Sequence, residues 1–148
     1  MRKPPTALRE FLQPYEPAVA RLFLAARGAV LRAAPNATEL IYDAYNAVSA
    51  VYSFTDRMKE AFCHVAAYPK YVNLGFNRGA SLADPERLLA GTGANIRHVR
   101  IDEAGILRRP AVECLLRAAV EQGRALAPVA SREPRSVVKA VYAKKRRP

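Results

Sequence analysis

This sequence has few cysteines, no long apolar run and no excess of polar residues. It therefore lacks the usual signs of a disulfide-rich domain, a membrane protein or a disordered chain. Its 148 residues include two Cys, seven Gly and eleven Pro. No uncharged apolar run approaches the roughly 18 residues of a membrane span. At 51% hydrophobic residues, the chain is too apolar for a disordered polymer. Basic Arg2 and Lys3 are followed by prolines rather than by the apolar stretch of a secretory signal. We expect one soluble, cytoplasmic globular domain without membrane association.

The two cysteines are too far apart for the common zinc-binding patterns. Cys63 and Cys114 are separated by 51 positions and neither belongs to a CxxC pair, which excludes a zinc finger. Both fall in predicted regular secondary structure, where a free cysteine usually packs as a small hydrophobic residue. We therefore expect both thiols to be buried.

Motifs of the large enzyme families are also missing. The sequence has no nucleophile elbow, Walker loop, dinucleotide-binding fingerprint or HExxH motif. His64 follows Cys63 directly, and strand alternation would send the two side chains to opposite faces, so we expect a solvent-facing His64 that shares no metal with Cys63. The carboxylates are scattered, and nothing distinguishes a general acid from a general base. We expect no catalytic residue, no metal and no cofactor; the alternative is an enzyme acting on a small anionic substrate.

Acidic residues are scarce, and the excess of basic residues is concentrated at one end. The chain has 13 Asp and Glu against 24 Lys and Arg, a net charge of +11, and the residues from 131 onward contribute +6 of it. We therefore predict a domain over 1–130 and a basic C-terminal tail over 131–148. Such a distribution is typical of a protein that binds a polyanion, although a solvated tail that aids solubility is the alternative. The tail residues predicted to contact a partner are Lys139, Lys144, Lys145, Arg146 and Arg147.

The apolar periodicity changes along the chain from helical to strand-like and back. Residues 18–33 repeat apolar side chains at helical spacing, and a second amphipathic helix begins at Pro110. Between them, short runs rich in β-branched and aromatic residues predict strands over 40–45, 47–54, 61–67, 71–76 and 96–101. Residues 137–142 could form a sixth strand or a helical turn. The pattern predicts an α+β fold: an antiparallel sheet of five or six strands flanked by an N-terminal and a C-terminal helix, with both helices covering one face.

A basic cluster near the last predicted strands is the most informative candidate site. It comprises Arg78, Arg97, His98 and Arg100, with Gly91 and Gly93 between them. If strands four and five are neighbours, these residues could form an anion-binding patch; otherwise they are dispersed surface arginines. Strand alternation aligns His98 with Arg100, and the glycines are interpreted as allowing positive φ before strand five. Seven tyrosines offer stacking surfaces for bases, or half-buried packing.

The order of these segments resembles a known bacterial family. The resemblance rests on the run 71–79 (Tyr-Val-Asn-Leu-Gly-Phe-Asn-Arg-Gly), on Glu39-Leu-Ile-Tyr-Asp and Tyr45-Asn46 upstream, and on residues 137–147 at the basic end. Between them it includes Leu82, Asp84-Pro85, Leu88-Leu89, Gly91, Gly93 and Arg97-His98. Over about positions 7–147 the chain is similar to the YdhG-like family, a bacterial domain of unknown function.

This resemblance implies a frataxin-like α+β sheet with flanking helices, and a few members of the family are described as intracellular iron chaperones. Iron binding on that scaffold needs an acidic first helix, whereas this one carries Arg21, Arg27 and Arg32. We therefore predict an uncharacterised, non-enzymatic binding domain for an anionic partner, either nucleic acid or an acidic protein surface. The iron chaperone is the alternative, and the oligomeric state is left open.

Overall fold

A computed structural model describes residues 2–127 and 133–148 as three α-helices and six strands. The helices are α1 (Thr6–Leu12), α2 (Pro17–Ala33) and α3 (Pro110–Leu126). The strands are β1 (Thr38–Asp43), β2 (Val48–Ser53), β3 (Cys63–Ala67), β4 (Val72–Phe76), β5 (Arg97–Ile101) and β6 (Ser136–Val141). The prediction of an α+β fold is confirmed, and the first five strands overlap their predicted positions.

The six strands form one open sheet in the order β5-β4-β3-β2-β1-β6. Every neighbouring pair is antiparallel except β1 and β6, which are parallel. The sheet is therefore mostly antiparallel. A parallel pairing needs a long connection, and β1 and β6 are separated by more than ninety residues of the chain.

The core lies between the sheet and the helices. Phe23 and Val30 of α2 and Leu115 of α3 pack against inward side chains such as Val65 and Leu74 of β3 and β4. Both long helices begin with a proline, Pro17 and Pro110, whose fixed φ suits the first helical turn. None of the described helices is long and apolar enough to cross a bilayer.

The short helix α1 was not predicted, because its seven residues are too few to show a clear period. The prediction that both cysteines are buried is half wrong. Cys63 is buried on the helix-covered face of the sheet, but Cys114 is exposed on the outer surface of α3. It follows Glu113, and both point away from the stripe that contains Leu115 and Leu116.

A buried polar network joins α2 to the sheet. Arg27 and Glu39 form a bidentate ion pair with N···O distances of 2.8 and 2.9 Å, and both side chains are almost fully buried. The hydroxyl groups of Tyr52 and Ser136 donate to the same carboxylate, each at 2.7 Å. Because the donors surround Glu39, its buried charge is compensated. Burial and the neighbouring carboxylate raise the pKa of Tyr52 well above its usual value, so Tyr52 stays a donor.

The predicted basic tail is folded against the body from residue 136 onward. Residues Ser136–Val141 form β6, so the sixth strand rather than the helical turn is confirmed. Lys145 Nζ lies 2.5 Å from the Asp43 carboxylate, and Arg147 forms a second ion pair with it. The side chain of Arg147 is buried and also donates to the carbonyl of Ala44 at 2.9 Å. A carboxylate at the end of β1 thus neutralises two cations of this segment and holds it against the sheet.

Candidate functional site: the groove on the open face of the sheet

The face of the sheet away from the helices carries a groove of about 600 Å³. We call it the open-face groove. Its polar floor consists of Ser49, His64, Asn73, Asn77 and His98, which come from β2, β3, β4 and β5 and the residue after β4. They share this face because alternate side chains of a strand point to opposite sides of a sheet. Neighbouring strands thus bring together residues that are separated by up to about fifty positions in sequence.

His64 is held in one orientation. Its Nδ1 lies 3.0 Å from Asn77 Oδ1, and an amide oxygen only accepts, so Nδ1 donates and Nε2 keeps a free lone pair. A Cβ atom on Gly75 would stand 2.0 Å from His64 Nε2, so the ring lies across a position that only glycine leaves open. Burial lowers the pKa of His64, while its hydrogen bond to Asn77 partly offsets this effect. The groove therefore presents a neutral imidazole.

His98 extends the same row to the edge of the sheet. The strand register aligns His64 with Gly75 and Gly75 with His98, which places the two histidines two strands apart, about 10 Å between their Cα atoms. The backbone of His98 exchanges hydrogen bonds of 2.8 and 3.0 Å with Ala90. Gly91 next to it has φ of +122°, which confirms the predicted positive φ there. The loop before β5 therefore covers the free edge beside His98.

Large apolar side chains surround this polar floor. In the described part of the chain, six large hydrophobic side chains are exposed, and four of them line the groove: Tyr45, Met58, Ile96 and Tyr142. Isolated exposed apolar residues are common, but their concentration around one cavity is typical of a binding site. Tyr142 follows β6, so the C-terminal segment contributes one wall.

A second hollow continues the groove toward the loops. It shares Met58, Asn77 and Ile96 with the groove and adds the cations Lys59 and Arg78. Among the residues described by the structure, no Asp or Glu lines either cavity. The described lining of the two cavities therefore combines cations in the hollow with aromatic rings at Tyr45 and Tyr142, and it contains no carboxylate.

The structure brings together only part of the basic cluster predicted from the sequence. His98 and Arg100 lie on the open face, as alternation predicts, and Arg100 stacks on Tyr71 with its guanidinium carbon 4.0 Å from the ring centre. Arg78 lies at the adjoining hollow. Arg97 points to the other face and donates to the carbonyls of Gly93 and Ile96, so it shapes the loop rather than the groove.

Two glycines in this region have different surroundings. The positive φ of Gly91 is described above, but Gly93 is not among the glycines with positive φ, and a Cβ atom there would meet nothing within 4 Å. The prediction for Gly93 is therefore wrong, because the loop reaches β5 without a left-handed turn at that position.

The basic C-terminal residues fall into two groups, those paired with a carboxylate and those exposed to solvent. Lys145 and Arg147 form ion pairs with Asp43, whereas Lys139, Lys144 and Arg146 are exposed. The sequence pattern does not predict which residues belong to which group, because the pairing depends on where Asp43 lies in the folded chain.

The geometry of the described residues does not resemble a metal centre. No cluster of three or more His, Cys, Asp or Glu side chains suited to a metal ion is found in 2–127 and 133–148. Asp43 is neutralised by Lys145 and Arg147, and Glu60 lies 3.5 Å from Arg57. Cys63 and His64 occupy opposite faces of β3, as strand alternation predicts.

Fold and site together define an α+β domain whose open-faced, mostly antiparallel sheet carries a polar, aromatic-rimmed groove. Comparisons with protein-family models, with curated proteins and with solved structures give no match. What the groove can bind therefore follows from its own chemistry.

Proposed function

We propose that this protein is a non-enzymatic binding domain that holds a segment of single-stranded nucleic acid across the open face of its sheet. The observation that carries the proposal is the composition of the open-face groove. Aromatic side chains form part of its rim, imidazole and amide groups form its floor, no carboxylate lines it among the described residues, and the cations Lys59 and Arg78 lie at one end.

Each of these features matches one part of a nucleotide. Unpaired bases stack on exposed aromatic rings, which Tyr45 and Tyr142 supply at one end of the groove. The edges of bases carry both donors and acceptors, which fit the floor formed by His64, Asn77 and Ser49. The phosphates are attracted by cations and would be repelled by carboxylates. A single strand fits because its bases can turn toward the sheet.

The charge around the groove supports the same partner. Lys139, Lys144 and Arg146 are exposed on the C-terminal segment that also contains Tyr142. Together with the net charge of +11, they would attract a polyanion and orient it along this side of the molecule. An acidic protein surface would be attracted by the same positive charges, but it has no bases that could stack on the aromatic side chains of the rim.

We also propose that the chain belongs to the YdhG-like family and has its frataxin-like arrangement. The support is the resemblance of residues 71–79 and of the segments around them, together with helices from both ends of the chain on one face of the sheet. The iron role described for a few members is not part of this proposal, since Asp43 and Glu60 both face cations.

Fluorescence anisotropy tests the proposal with a labelled 12-nucleotide single strand, the matching duplex and a mononucleotide, at low and near-physiological salt. The single strand should bind most tightly. Replacing the two cations of the adjoining hollow, in Lys59→Gln with Arg78→Gln, should weaken binding at least tenfold. If both cations bind phosphates, the slope of log affinity against log salt concentration should become shallower by roughly 0.7 for each phosphate that is no longer neutralised.

A variant with the same charge loss provides the control. Arg9→Gln with Arg21→Gln removes two exposed arginines from the helix layer, away from the groove. It should change the affinity less than twofold. An equal loss in both double variants, or a duplex that binds as tightly as the single strand, would mean general charge attraction and would overturn the proposal.

A further inference from the structure

The helix layer contains a second cavity, on the opposite side of the sheet from the open-face groove. This inter-helix cavity of about 490 Å³ lies between the second half of α2, the 3-10 helix Ala104–Arg108 and the first half of α3. Leu107 and Leu116, each less than a tenth exposed, form an apolar floor. The α2 side is lined by Ala29 and Ala33, whose short side chains leave space between the helices.

Three arginines, one from each of these elements, surround the inter-helix cavity. They are Arg32, Arg108 and Arg117, and all three are exposed. Within 2–127 and 133–148, none of them has a carboxylate within 4.0 Å, although other arginines of the chain do. Glu113 is the one acidic residue among the described lining residues, so the charged side chains around the cavity sum to +2.

An anion would stabilise this arrangement. Guanidinium groups that line the same cavity repel one another, and a bound dianion would replace that repulsion with attraction. The planar donors of arginine match the oxygen atoms of a phosphate group, to which they can bind in pairs. The apolar floor offers nothing to a bare inorganic ion but would contact a carbon skeleton.

We infer that the inter-helix cavity binds a small phosphorylated organic molecule, with its phosphate between Arg32, Arg108 and Arg117 and its apolar part against Leu107 and Leu116. The sheet separates this cavity from the open-face groove, and the two share no lining residue. This site is therefore independent of the proposed nucleic-acid surface.

Titration calorimetry on the full chain tests this inference with phenyl phosphate, inorganic phosphate and phenol as probes. Phenyl phosphate should bind saturably at one site per chain and at least tenfold more tightly than either of the others. In Arg108→Gln with Arg117→Gln its affinity should fall at least tenfold. Both positions are exposed, and an unchanged urea midpoint would show that the variant is folded.

The control variant Arg9→Gln with Arg21→Gln should keep the affinity for phenyl phosphate within twofold. An equal loss in both variants, or the absence of saturable binding to the wild-type chain, would overturn the inference. Binding of the single-stranded oligonucleotide should be unchanged in Arg108→Gln with Arg117→Gln. If that binding falls to the same extent, the arginines belong to a general polyanion surface and the separate site is refuted.

Discussion

The two faces of the sheet differ in whether their polar side chains have hydrogen-bond partners within the fold. On the helix-covered face, Glu39 is surrounded by Arg27, Tyr52 and Ser136, so its charge is compensated inside the fold. On the open face, His64 is held by Asn77 but keeps a free nitrogen, and the buried Oδ1 of Asn73 has no hydrogen-bond partner. Polar groups on the covered face hold the fold together, whereas those on the open face are positioned and still able to bind a ligand.

The largest effect should come from breaking the polar network on the covered face. In Glu39→Ala, Arg27 stays buried without a counter-ion and two hydroxyl groups lose their acceptor. The free energy of unfolding should fall by about 3–5 kcal/mol, measured by urea denaturation. As a control, Glu10→Ala at an exposed position of α1 should stay within about 0.5 kcal/mol of the wild type. Similar losses in both variants would contradict a special role for the network.

A smaller but more local effect is expected on the open face from Gly75→Ala. The new Cβ atom would stand 2.0 Å from His64 Nε2, so the ring must leave its position. We expect a loss of about 1–3 kcal/mol in stability and a clear loss of oligonucleotide affinity. Gly93→Ala is the matched control, because its Cβ atom would meet nothing within 4 Å. If oligonucleotide binding is normal in Gly75→Ala, the orientation of His64 does not matter for the groove.

The neutral state of His64 should make stability depend on pH. Burial lowers the pKa of His64 in the folded chain, while the unfolded chain takes up this proton near the ordinary value of about 6.5. Stability from this group is thus complete above about pH 6.5 and is lost as the pH falls toward the lower folded pKa. The slope for one proton is at most about 1.4 kcal/mol per pH unit.

Urea midpoints at several pH values between 7.5 and 5.5 measure this slope in the wild type and in His64→Gln. The charge of His98, on the same face two strands away, also lowers the pKa of His64. His98→Gln is therefore measured as a second variant. The slope should flatten most in His64→Gln. An identical slope in that variant and the wild type would show that His64 does not titrate differently on folding.

The smallest expected effect concerns the reactivity of the two thiols. Cys63 lies on the covered face, and burial strongly raises the pKa of its thiol, whereas Cys114 is exposed. A chromogenic disulfide reagent should therefore modify one thiol per chain rapidly in the native state and both in urea. Cys114→Ser should abolish the rapid phase, and Cys63→Ser should leave it intact. A rapid reaction of Cys63 would mean that the helix layer does not seal this face.

Much of the fold was predictable because its signals are local. The alternation in residues 71–76 and the helical spacing in residues 18–33 each lie within a single element, and both predictions are confirmed. Alternation also places His98 and Arg100 on one face. By contrast, the exposure of Cys114 depends on the rotation of α3 against the sheet, which packing sets and a short stretch of sequence shows only weakly.

The candidate site was less predictable because it depends on contacts between distant residues. Arg97 and His98 are neighbours in sequence but point to opposite faces, so only one of them reaches the groove. Tyr142 reaches the same groove because β6 pairs with β1, a pairing between residues almost a hundred positions apart. Of the basic cluster predicted from the sequence, His98 lines the groove and Arg78 the adjoining hollow, whereas Arg97 points to the other face.

The sequence by itself determined the α+β class, the central strands and the long helices, and the excess of positive charge. These follow from side-chain periodicity and composition, which act over a few residues at a time. Only the tertiary structure decided which face of the sheet the helices leave open, and that β6 is an edge strand. The tertiary structure also decided the ion pairs: Arg27 pairs with Glu39, and Lys145 and Arg147 pair with Asp43. Such long-range pairings depend on which surfaces meet after burial, and that information is distributed over the whole chain.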